Sequence, residues 1–235
     1  MKFLTSGCSF SGRGNGAQAG WSIPLLNFGD VVNLACPGAG NLYIADGVIN
    51  HLLVNPDYDY VVVMWSGLQR FDLAVDPASS PVNYLQEFSV LQQSENIKYD
   101  IYAAMTDGLG HPPFKKQYFM MQDEISLSYQ SLMSMIKLQN HLNQLKIPYF
   151  FSSYVNYFNA ENELPDLNFG LYKYPELKKY LDYLEMDRWI FDEQNRSIYE
   201  YSRDTGNLGE DGFHPNVDAI MHWGQLVKDR IRKDL

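Results

Sequence analysis

The run DYVVVMW at positions 59–65 constrains the fold more than any other stretch of this chain. A strand sends successive side chains to opposite faces, so an unbroken apolar run has to be buried on both. That is the condition of an inner strand in a parallel sheet covered by helices.

Neighbours of the right kind flank it. Residues 2–6 form a short apolar strand, and residues 30–35 (DVVNLA) form a second, closed by Pro37 and Gly38. Leu42, Ala45, Ile49, Leu52 and Leu53 recur at helical spacing, which predicts a crossover helix over 42–53 with Asn41 as N-cap. A second helix is predicted over 125–145, with Ile125, Tyr129, Leu132, Met133, Ile136 and Leu145 on its inner face. Pro148 and the strand YFFSS at 149–153 follow. A last helix begins after Pro215, capped by Asn216 and burying Ile220, Trp223, Val227 and Ile231. Alternating strands and helices imply a parallel sheet with right-handed crossovers.

Two stretches, 73–122 and 154–208, interrupt this alternation and are rich in Tyr, Phe, Pro and Asn. They are too aromatic for disorder and too long for bare loops, so short helices and turns are expected there. One such helix is predicted over 175–184, with Pro175 at its first position and Leu177, Tyr180, Leu181 and Leu184 facing inward. A chain of 235 residues suits a single domain, 1–235, carrying both stretches as insertions.

The formal charge of −10 repels phosphate backbones and anionic membranes, and no basic run exceeds Lys178 and Lys179. Neither nucleic acid nor a membrane is therefore an expected partner. The N-terminus has only Phe3 and Leu4 where a signal peptide needs roughly 7–15 apolar residues. It reads as the first strand, which implies a cytoplasmic protein or one released by another route. Oligomeric state has no signal in the sequence.

Chemistry concentrates at two places. GCSFS, from Gly7 to Ser11, puts Ser9 on a turn after the first strand, where backbone N–H groups point outward. DGFHP, from Asp211 to Pro215, sets an Asp three residues before a His, so the carboxylate can orient the imidazole while its other nitrogen faces a serine. These blocks resemble the GDS(L/F)S and DxxHP blocks that open and close the SGNH (GDSL-like) hydrolases. The resemblance extends to Asn33 and Gly38 in NLACPG, similar to the family's second block. It implies Ser9 as nucleophile, His214 as general base, Asp211 as its orienting partner, and the backbone N–H groups of Ser9 and Gly38 as oxyanion donors. It also implies a flavodoxin-like three-layer sandwich, with a parallel sheet of about five strands in the order 2-1-3-4-5.

The chain departs from the family twice. Cys8 replaces the Asp of GDS, a position that supports the turn more than the chemistry. The family's third block, GxND, contributes an Asn side chain to the oxyanion hole, and here the third strand ends in WSGLQRFD. Gln69 can supply an equivalent amide or be a surface residue, and Arg70 can aim at the substrate or pair with Asp72. Trp65 and Arg70 are the substrate-binding candidates.

Other signals carry less. GRGNGA at 12–17 fits GxGxxA, but the serine turn intervenes and no acidic ribose ligand ends the second strand. Cys8 and Cys36 end adjacent strands, so a disulfide is conceivable. His51, His111, His141 and His222 lack metal-ligand spacing, so neither a metal nor another cofactor is expected. The resemblance implies hydrolysis of a small acyl ester, such as that of an O-acetylated carbohydrate, and the aromatic insertions would suit stacking on a sugar. The alternative is a non-catalytic glycan-binding or structural protein on the same scaffold.

Overall fold

The structure, a computed structural model, describes residues 1–12, 20–68, 70–75, 98–102, 123–159 and 170–235. Among them are strands β1 (Lys2–Ser6), β2 (Asp30–Asn33), β3 (Tyr60–Trp65), β4 (Phe71–Val75), β5 (Lys98–Tyr102) and β6 (Tyr149–Ser153). The helices are α1 (Asn41–Val54), α2 (Glu124–Leu145), α3 (Lys178–Leu181), α4 (Ile198–Asp204) and α5 (Val217–Asp234).

Strands β2, β1, β3 and β6 form a parallel sheet in that order. Every residue of β3 is buried, as its unbroken apolar run requires. The chain reverses direction across the sheet between β2 and β3. Right-handed crossovers therefore place the segment before β2 on one face and α1 on the other. Helix α2 packs on α1, while α5 packs against the short 3-10 helix Ile23–Asn27 and α4. The sheet is thus covered on both sides, and the C-terminal ends of β1, β2 and β3 share one edge. No helix among the described residues is long and apolar enough to cross a membrane.

Among the described residues the parallel sheet has four strands where about five are expected. The fifth place holds one parallel bridge, Phe151 to Trp189, and the Ile190 N–H donates to the Phe151 carbonyl at 2.8 Å. The chain cannot extend this pairing, because Asp192 accepts the N–H groups of Gln194 and Arg196 and curls it away.

Within 73–122 the described residues form an antiparallel pair, β4 with β5, rather than short helices. FDLAV and KYDIY alternate in period two with aromatic and β-branched residues, a strand pattern. In the second stretch the predicted helix over 175–184 is a 3-10 turn, Pro175–Leu177, running into α3.

Helix α2 buries a wider face than the one its apolar spacing predicts, and only part of the predicted one. Leu132 and Ile136 are buried and Met133 packs against the core as expected, but Ile125, Tyr129 and Leu145 are exposed, and Leu127, Ser128, Ser131, Met135, Leu138 and Leu142 are buried as well. Ser131 explains part of the difference, because its hydroxyl donates to the Leu68 carbonyl at 3.0 Å and belongs inside. Asn41 is not the N-cap of α1 but its first residue. Its side chain holds Ser66 instead, accepting from the N–H at 2.8 Å and donating to the carbonyl at 3.2 Å.

Candidate active site

Three residues beyond the end of β1, the chain makes a tight turn in which the Ser11 N–H donates to the Cys8 carbonyl at 2.9 Å. Ser9 sits inside it, half-buried. The turn is tied down on two sides. Trp21 Nε1 donates to the Ser11 hydroxyl at 2.9 Å, and Asn33 Nδ2, from the end of β2, donates to the Ser11 carbonyl at 3.1 Å.

The loop before α5 folds on Asp211. One carboxylate oxygen, Oδ1, accepts the N–H groups of Phe213 (3.0 Å) and His214 (2.9 Å), while Oδ2 faces His214 Nδ1 at 2.6 Å. These bonds hold the carboxyl down at about 2, the Phe213 N–H contributing most. The ionised group therefore accepts Nδ1–H and leaves Nε2 unprotonated on the neutral ring. His214 Nε2 lies 2.9 Å from Ser9 Oγ, so the hydroxyl donates to it. Phe10 and Phe213 pack on the imidazole with ring centroids 5.0 and 5.3 Å away, the second edge to face. A bridge between Leu208 and Pro215 closes the loop, and Asn216 caps α5 by accepting the Ala219 N–H at 3.0 Å.

Gly38 stands on the turn after β2. The Ala39 N–H donates to the Cys36 carbonyl at 3.1 Å, with Pro37 and Gly38 between them. Gly38 has φ +84°, the left-handed value that the third residue of a type II turn requires and that glycine adopts at no steric cost. Among the described residues, no acceptor takes the N–H of Ser9 or of Gly38. A cavity of about 220 Å³ opens beside Ser9, and Phe10, Pro37, Pro215 and Ile220 give it apolar walls. Phe10, Pro37 and Pro215 stand within the blocks that the sequence singles out, but nothing in their spacing marked them, or Ile220, as cavity walls.

Trp65 and Arg70 do not line the cavity. Trp65 is fully buried, packed edge to face on Phe151 at 5.2 Å, and so is a core residue rather than a substrate-binding one. Arg70 does not pair with Asp72. Its Nη1 donates to the Ala39 carbonyl at 3.2 Å and the Ser66 hydroxyl at 2.8 Å. Gln69 and most of GRGNGA lie outside the described residues. Cys8 and Cys36 are free, buried thiols, and burial pushes Cys36 up to about 11.

No protein-family model and no curated protein matches the chain. Solved structures do. One is a psychrotrophic esterase, EstA, from a Pseudoalteromonas species, with a TM-score of 0.53 at 10% identity over 99% of this chain and 97% of that one. Another is Axe2, an acetylxylan esterase from Geobacillus stearothermophilus, with a TM-score of 0.52 at 14% identity over 98% of this chain and 93% of that one. At such identities the likeness is one of fold.

Proposed function

We propose that this chain is a serine carboxylic ester hydrolase of the SGNH type, acting on a small acyl ester. The observation that carries the reading is the unbroken line from Ser9 Oγ through His214 to Asp211, with contacts of 2.9 and 2.6 Å. Ser9 Oγ bonds to the ester carbonyl carbon as His214 Nε2 takes its proton. The N–H groups of Ser9 and Gly38 receive the negative charge that develops on the carbonyl oxygen. The tetrahedral species collapses, the alcohol leaves with the proton from Nε2, and water repeats the sequence to release the acid and restore Ser9.

The fold shared with two esterases supports the reaction class. The cavity supports the substrate size, since about 220 Å³ falls below the ~300–1,000 Å³ that holds a drug-sized ligand. Its apolar walls suit the acyl group, and an acetyl ester on a carbohydrate is the form we favour. The test is turnover of a chromogenic acetyl ester by the parent and by Ser9→Ala. We expect Ser9→Ala to abolish it, with an acyl adduct on Ser9 trapped in the parent. Turnover equal in both would take the chemistry away from Ser9, and none in either would leave a non-catalytic binding protein as the better description.

A further inference from the structure

The segment leaving β3 reaches back over the turn that carries Gly38. Arg70 Nη1 donates to the Ala39 carbonyl at 3.2 Å, and Asp72 Oδ1 accepts the Gly40 N–H at 2.9 Å. That carbonyl and that N–H are the two ends of one peptide unit, which follows Ala39 and stands one peptide beyond the unit that Gly38 and Ala39 share. We infer that Arg70 and Asp72 are positioning residues which clamp the Ala39–Gly40 peptide and thereby aim the Gly38 N–H at the oxyanion, an inference that rests on the esterase reading above.

A peptide unit is planar, so fixing both of its ends fixes its orientation. Between the clamped unit and the Gly38 N–H lie only the Ala39 and Gly38 dihedrals. The bond from the Ala39 N–H to the Cys36 carbonyl restrains these further. An outside restraint is needed because glycine is itself permissive, and a donor that drifts loses the benefit of preorganisation. Gly40 records how closely the carboxylate approaches. Its φ of −90° would admit any residue, yet an added Cβ would lie 2.6 Å from Asp72 Oδ2.

The other contacts extend the clamp. Asp72 Oδ2 accepts the Tyr43 N–H at 2.7 Å, so the carboxylate also seats the first turn of α1. Arg70 is braced by the Ser66 hydroxyl at 2.8 Å, and Asn41 holds the Ser66 backbone from the helix side. Neither Arg70 nor Asp72 lines the cavity beside Ser9. They act through the turn and not on the substrate.

The experiment compares Asp72→Asn and Arg70→Ala with the parent, reading kcat and KM on an acetyl ester and the rate of Ser9 phosphonylation by an alkylphosphonate ester. Asp72→Asn replaces one acceptor oxygen with a donor amide, which deprives Gly40 or Tyr43 of its partner. Arg70→Ala removes the other arm at a half-buried position and keeps the test available if Asp72→Asn fails to fold. Gln139→Ala is the control for lost stability, since Gln139 holds Tyr183 and Glu185 well away from the site. We expect kcat and phosphonylation to fall about 10²-fold in both variants, with KM changed by no more than about twofold. Gln139→Ala should lower the melting temperature and keep kcat, and free guanidinium should restore part of the Arg70→Ala loss. A lower melting temperature with kcat retained makes the pair merely structural and overturns the inference. So does a raised KM with kcat retained. A parent without Ser9-dependent turnover overturns the esterase reading and this inference together, whereas an active parent with unaffected variants overturns this inference alone.

Discussion

Two loops at this site are each built on an aspartate that accepts two backbone N–H groups, and the two aspartates respond in opposite directions. Asp211 accepts from Phe213 and His214 with its side chain 53% exposed, and its carboxyl is held down at about 2. Asp72 accepts from Gly40 and Tyr43 but is only 7% exposed, and burial pushes its carboxyl up to about 6. The N–H bonds and the nearby Arg70 charge pull Asp72 downward without overcoming the desolvation. The same number of backbone bonds, joined at Asp211 by the His214 ring, thus accompanies a carboxylate that is ready at any working pH in one case and one that is ionised at a cost to stability in the other. We read the first as serving the chemistry and the second as holding the geometry.

The largest effect should follow from Asp211→Asn. Oδ1 serves the backbone and Oδ2 serves the ring, so an Asn that keeps its oxygen on the backbone turns its amide donor toward Nδ1. His214 must then present Nε2–H to Ser9, a donor facing a donor. We expect kcat to fall by about 10⁴-fold with the melting temperature nearly unchanged. A loss below about tenfold would mean that Asp211 does not orient the base.

Asp72→Asn should show its strongest physical signature in stability against pH. The native carboxyl titrates near 6 and an ordinary one at 3.8, so between these values the folded chain holds the proton more tightly. The parent therefore loses stability as pH rises through this window, by about 3 kcal/mol at 1.36 kcal/mol per unit. Asn does not titrate. Denaturant midpoints taken at pH 4 and pH 7 should show the variant gaining on the parent by about that amount. A difference that stays constant with pH would remove the buried carboxylate from the account.

The smallest effect is the same measurement on Asp211. Its folded value lies below the ordinary one, so its contribution is present above pH 4 and is lost as the pH falls through about 2. The parent's advantage over Asp211→Asn should shrink across that range, and by less than the Asp72 change, because solvent screens an exposed carboxylate. A larger swing at Asp211 than at Asp72 would reverse the comparison.

The same contrast explains what the sequence made legible. The Asp211 loop is local: DGFHP contains both partners and the three-residue step that joins them. Ser9 and Gly38 were marked by turns at the ends of apolar strands, and β3 by its unbroken run. Asp72 was visible only as a neighbour of Arg70, and spacing suggested that they bind each other. In the structure each reaches instead to the entrance of α1, where backbone groups offer better partners than a second side chain. The inner face of α2 was only partly legible for a related reason: Leu132 and Ile136 point inward as their spacing implied, but Ser131 is also buried to satisfy a carbonyl, and hydrophobicity does not record that. Trp65, a substrate-binding candidate, is fully buried and packs in the core.

The bond between Ser9 and His214 joins residues 205 positions apart. The strands that carry Ser9 and Gly38 pair with close neighbours in the chain, whereas the histidine arrives only when α5 docks on the segment around Ile23–Asn27. Closing so long a stretch of chain costs more entropy than pairing the sheet strands, so we expect this docking to follow formation of the sheet. On the esterase reading, turnover would then report one assembly step, and local release of α5 would silence the protein with its sheet intact. In mild denaturant, activity should disappear before the spectroscopic signal of the strands does.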